Sequence, residues 1–142
     1  GVQEALAAAG LSLPARWLVE APYTVQAARE AVRCVLQGTA PTALICGNDV
    51  LAFGALLECA AAGVDVPRSM SVIGDDDLEL ARQWRPSLTT MHVPTEQMWT
   101  LAAEYLLGRL DSSVGEPLQR ELEVELVVRE SSARPPRRAA GR

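Results

Sequence analysis

The sequence predicts an α/β protein built around a parallel sheet, and three observations carry that prediction. Short apolar runs alternate with amphipathic stretches at helical spacing, the joints between them are brief and rich in Gly, Asn, Asp and Pro, and polar residues collect just after the apolar runs. A strand, helix, strand, helix, strand order with such short connections favours right-handed crossovers and parallel pairing.

The first ten residues place Val2, Leu6 and Ala9 on one face and end at Gly10, which reads as the closing turns of a helix that began upstream. Trp17, Leu18 and Val19 form a short apolar run, expected as a buried strand, and Pro22 follows it. Thr24 can cap the next helix, whose stripe of Val25, Ala28, Val32, Val35 and Leu36 stops at Gly38. Ala43, Leu44, Ile45 and Cys46 suit a strand covered on both faces. Asn48 or Asp49 can cap a helix over residues 50–62, closed by Gly63.

Ser71, Val72 and Ile73 make the next strand, ending at Gly74 and three acids, Asp75, Asp76 and Asp77. After a short segment at 78–84, the stretch 88–93 reads as a strand for its threonines and valine. Met98, Leu101, Ala102, Tyr105, Leu106 and Leu110 line one side of a long helix. Leu122, Val124, Leu126 and Val128 then alternate with Glu121, Glu123, Glu125 and Val127, as in a strand with one wet face. From Ser131 the Ser, Pro, Arg, Ala and Gly composition predicts a mobile tail.

Composition narrows the function. The 142 residues are 49% hydrophobic and 22% charged, as in a soluble globular protein able to bury a core. Net charge is −5, and the basic residues, all arginine, are scattered until the tail, so this stretch lacks the clustered positive charge of a nucleic-acid surface. Its apolar runs are too short to span a bilayer. Cys34, Cys46 and Cys59 sit inside apolar periodic stretches and read as buried free thiols of a reducing cytoplasm.

In an open parallel sheet, ligands bind beyond the carboxyl ends of the strands. Tyr23, Asn48, Asp49 and the acids at 75–77 all follow predicted strands. Asn offers a donor and an acceptor and a carboxylate accepts two hydrogen bonds, a pairing that suits vicinal hydroxyls. An aromatic face can cover the apolar side of a sugar ring. Each has a plainer role too: Asn48 is a good helix cap, Tyr23 can simply pack, and the acids favour a helix start.

Catalysis finds less support. The chain has no lysine and no glycine-rich phosphate loop to serve a phosphoryl site beside the acids, and its sole histidine, His92, has no nucleophile signature nearby. No metal site or cofactor is implied.

The run at 41–55, with Gly47, Asn48, Asp49 and Gly54, strongly resembles the lactose-repressor and galactose-repressor family of bacterial regulators. Gly63, Val66, Pro67, Ser71, Val72, Ile73, Gly74, Asp76 and Asp77 match the next signature of that family, Pro86, Leu88, Thr89 and Thr90 the one after it, and the stretch 125–131 its last strand. The resemblance covers residues 1–133. It implies a doubly wound, periplasmic-binding-protein-like type I core that closes on a small effector, a sugar or nucleoside, preceded by a helix-turn-helix DNA reader.

By position, the resemblance gives Asn48 and Asp76 hydrogen bonds to effector hydroxyls, Tyr23 the aromatic stacking place, and Phe53 and Trp84 a homodimer interface as exposed aromatic anchors. Asp75 stands where the family usually has an aromatic. The family pattern also implies truncation: the central strand of this lobe and most of the other lobe lie upstream, with residues 1–133 the C-terminal part of the effector-binding domain and 134–142 a disordered tail. The strands at Trp17 and Ala43 are then left flanking an uncovered slot, and the helix at 96–110 is left with a bare apolar face.

Expected overall is the effector-sensing part of a cytoplasmic, homodimeric repressor that meets DNA only through an absent N-terminal domain. The alternative is a periplasmic sugar-binding protein of an uptake system.

Overall fold

The computed structural model describes residues 1–38, 41–111 and 119–135. Its centre is a four-stranded sheet of β1 (Ala43–Ile45), β2 (Ser71–Asp76), β3 (Thr89–His92) and β4 (Glu125–Val127), in that spatial order. The first three strands run parallel, with Leu44 beside Val72 and Gly74 beside Thr90. β4 lies antiparallel to β3, Leu126 opposite Met91, so the sheet is mostly rather than wholly parallel.

Among the described residues five α-helices accompany it: α1 (Val2–Ala8), α2 (Val25–Leu36), α3 (Asp49–Ala61), α4 (Glu79–Gln83) and α5 (Thr95–Asp111). The starts of α2 and α3 follow from their caps. Thr24 Oγ1 accepts from the Ala27 amide at 3.1 Å, and Asn48 Oδ1 accepts from the Leu51 amide at 2.9 Å, each satisfying a helix-start donor that would otherwise be orphaned. Gly63, at φ 70°, allows the left-handed turn just past the end of α3.

The core gathers Val32, Ala52, Phe53, Ala55, Leu56, Cys59, Met70, Val72, Ala81 and Leu88, where α3 packs on β2 and α2 packs on α3. Gly54 makes the α2 contact possible, since a β-carbon there would sit 2.5 Å from both Ala28 Cβ and the Val25 carbonyl oxygen. Glu58 then pins the pair. The carboxylate is almost wholly buried and accepts from Arg29 Nε at 3.0 Å and from Arg33 Nε and Nη2 at 2.8 and 3.0 Å.

Two expectations need correction. Trp17, Leu18 and Val19 do not form a buried strand: Ala15–Trp17 is a single 3-10 turn, and Leu18 behind it is 59% exposed. A strand persists only where a neighbour takes its backbone hydrogen bonds. Here β1 is an edge strand, and a groove of about 1070 Å³ is lined by Trp17, Leu18 and Val19 on one side and Ala43, Leu44 and Ile45 on the other.

Nor is the chain loose from Ser131. Ser131 is fully buried; its Oγ donates to the Val72 carbonyl at 2.6 Å and accepts from the Thr89 amide at 2.8 Å, while its carbonyl accepts from the Val72 amide at 2.8 Å. Ala133 bonds to Ser71. Residues 131–133 thus continue the sheet between the beginnings of β2 and β3. Most of the expected disordered tail, 136–142, lies outside the described residues.

Candidate functional site at the carboxyl rim of the sheet

Parallel register brings the ends of β1 and β2 to one rim. Ile45 pairs with Ile73 and the Cys46 amide donates to the Ile73 carbonyl, so Gly47 and Asn48 leave one strand where Asp75 and Asp76 leave the next. Tyr23, before α2, lies over the Gly47 backbone: a β-carbon there would meet its Cε1 at 3.9 Å. Its ring is 71% exposed. The Asn48 carbonyl oxygen is engaged in the α3 cap, and among the described residues its side-chain amide nitrogen has no hydrogen-bond partner, leaving a donor at the rim. Tyr23, Asn48 and Asp76 therefore share one end of the sheet, although no hydrogen bond links them to one another.

The β2 turn is the strained part of this rim. Asp76 has φ 117° and Asp77 φ 55°. The second is a left-handed conformation that Asp tolerates, whereas the first is essentially glycine territory and costs about 1–3 kcal/mol, so surrounding bonds must enforce it.

Those bonds come from three elements. Asp49, fully buried at the start of α3, accepts from Thr90 Oγ1 at 2.6 Å and from the Leu78 amide at 2.8 Å. Thr90 Oγ1 in turn accepts weakly from the Asp77 amide at 3.4 Å. Arg129, following β4, reaches Asp77 Oδ1 at 2.5 Å with Nη2 and the Leu88 carbonyl at 2.8 Å with Nη1, and His92 Nδ1 lies 3.1 Å from Asp77 Oδ2. Gly74 belongs to the same assembly, because a β-carbon there would run into Asp49 Oδ1.

Electrostatics separates the acids. Burial pushes the Asp49 carboxyl above its ordinary value despite the hydrogen bonds from Thr90 and Leu78. Partial burial also raises Asp76, aided by the negative charges of Asp75 and Asp49. Burial opposes ionisation at Asp77 as well, yet the Arg129 hydrogen bond and charge, with His92 added, hold its carboxyl below the usual range. Asp77 is a structural anion, and Asp76 is the acid left facing solvent.

Phe53 and Trp84 do meet, but not as two exposed anchors. Phe53 is only 4% exposed because it belongs to the α3 core face, and Trp84 stacks on it with ring centroids 5.0 Å apart. Trp84 is half-buried and alone carries aromatic surface to solvent there. Sequence reasoning missed the Asp49, Asp77 and Arg129 network; the signal within reach was Gly74 beside a strand beginning with two threonines. Among the described residues, no group of three or more His, Cys, Asp or Glu is placed to hold a metal ion, and no helix is long and apolar enough to cross a membrane.

Residues 1–132 match the periplasmic binding protein-like domain family. The HTH-type transcriptional repressor PurR of Erwinia tasmaniensis is 37% identical over 139 residues, covering 97% of this chain and 41% of that protein. The transcriptional regulator CelR in complex with cellobiose superposes with a TM-score of 0.86 at 30% identity, over 92% of this chain and 40% of its own. A LacI-family regulator from Sanguibacter keddieii gives 0.86 at 34% identity, over 91% and 50%. The chain thus spans about 40–50% of the length of these regulators. It belongs to the periplasmic binding protein-like domain family and is an effector-binding region of the kind that lactose-repressor family regulators carry.

Proposed function

We propose that this chain is the effector-sensing part of a cytoplasmic bacterial transcriptional repressor rather than an enzyme or an uptake protein. Its effector is a polyhydroxylated small molecule, a sugar or a nucleoside. The observation that carries this reading is the rim: an exposed aromatic ring, an amide donor and a carboxylate on a strained turn, all at one sheet end. Such groups complement a ring with an apolar face and vicinal hydroxyls. The relatives that carry repressor names, and one that is described with cellobiose, support it over the uptake alternative.

In this reading Asp76 and Asn48 bond effector hydroxyls, and Tyr23 covers the ring. Effector affinity that differs between open and closed lobes shifts their equilibrium, and the homodimer passes that shift to DNA-binding heads outside this chain. Trp84, backed by Phe53, is the aromatic contribution to the dimer surface.

The test uses the full-length protein. Asp76→Ala is expected to weaken effector binding by about tenfold or more, the scale of a lost charged hydrogen bond, while leaving operator binding without effector largely intact. Calorimetry against cellobiose, D-ribose and adenosine, with a DNA-binding assay alongside, measures both. Unchanged affinity for the panel member that binds would reject the assignment.

A further inference from the structure

We propose that Asp49 is a positioning residue for the Asp76 carboxylate that binds the effector, acting through the backbone of the turn that presents Asp76. The inference rests on the effector-binding reading of Asp76 and goes beyond it, because Asp49 is fully buried and itself touches no ligand surface.

The geometry is specific. One Asp49 oxygen takes the Thr90 hydroxyl at 2.6 Å, the other takes the Leu78 amide at 2.8 Å, and the Thr90 oxygen receives the Asp77 amide at 3.4 Å. The two amides directly after Asp76 are therefore tied, one directly and one through a hydroxyl, to a side chain on the first residue of α3. The Asp76 side chain makes no hydrogen bond among the described residues, so its unusual φ of 117° is held by its strand pairing with His92 and by the bonds to the two residues that follow it. Asn48, the other proposed ligand, is the cap of the same helix. One buried carboxylate thus ties the Asp76 turn to the helix start that carries Asn48 and sets the spacing of the two effector groups. Room for it is provided by Gly74, where any β-carbon would displace it.

The alternative is that Asp49 merely stabilises the fold. Distinguishing them requires the full-length protein, the probes cellobiose, D-ribose and adenosine, and amide hydrogen exchange over residues 76–78. Asp49→Asn, which keeps the volume, and Thr90→Val are expected to weaken binding of the panel member that binds by about tenfold and to speed exchange of the Asp77 and Leu78 amides by a similar factor, with Thr90→Ser restoring both. In an Asp76→Ala background, Asp49→Asn is expected to cost no further affinity.

An equal loss in both backgrounds, or unchanged amide exchange in Asp49→Asn, overturns the positioning role. If Asp76→Ala alone leaves affinity untouched, the effector reading fails instead. Should no probe bind, the exchange arm decides: unaltered protection in both the Asp49 and Thr90 variants would sink the proposal.

Discussion

Ser131 shows how much one small polar side chain can secure. Its hydroxyl is the partner of a buried carbonyl on β2 and a buried amide on β3, so Ser131→Ala strands one acceptor and one donor without access to water. Each orphaned group costs about 1–3 kcal/mol, and a loss of roughly 2–4 kcal/mol is expected, read as a lower urea midpoint at unchanged slope. A change within experimental scatter would contradict the fully buried placement. This residue was not legible in the sequence, where a serine before Ser, Ala, Arg and Pro has the composition of a tail. Its partners lie 59 and 42 positions away, and no local pattern announces such a pairing. Asp49 escaped for a related reason, since an acid after an N-cap asparagine already has a sufficient explanation in the helix dipole. Asn48 and Asp76 were legible as a pair because the ends of parallel strands converge whatever the side chains do, whereas Tyr23 comes to the same rim without the strand expected before it.

At the scale of elements, helices were read well and strands only where a partner exists. Thr24 and Asn48 set helix starts through bonds within three residues, which a sequence displays directly. Trp17, Leu18 and Val19 have strand composition without strand structure, because pairing is decided elsewhere in the chain. The joints between elements carry the pH response. Glu58, held down first by its Arg33 hydrogen bond and then by Arg29, fastens α2 to α3, and Asp77 fastens the β2 turn to Arg129. A carboxylate whose folded pKa lies below its unfolded one stabilises the fold above about pH 4 and ceases to do so as the pH falls through the folded value. Asp49 has the opposite sign: with its folded pKa raised, ionisation erodes stability as the pH climbs from the unfolded to the folded value. Three lowered carboxyls, Glu58, Asp77 and Glu130, against two raised ones, Asp49 and Asp76, predict that the urea midpoint falls on acidification from about pH 5 to pH 3, and that Glu58→Gln flattens this slope. A midpoint that rises over that interval would reject the ranking.

Across the whole molecule, apolar surface without a covering is concentrated in two places. The groove beside β1 leaves a sheet edge bare, and α5 shows Trp99, Leu106, Leu107 and Leu110, the last 82% exposed. Open strand edges and broad apolar helix faces recruit other chains. These 142 residues, produced alone, are therefore expected to self-associate, with light scattering reporting species larger than a monomer; a monomer that melts cooperatively at high temperature would contradict this. The stretch 129–133 has a practical bearing on any such preparation. It is anchored to the foot of β2 at Ser71 and Val72, and the Arg129 side chain reaches from it to Asp77 just past the head of that strand. A reporter fusion or protease site inserted within residues 129–133 would part the bonds that hold both ends of β2 to this stretch.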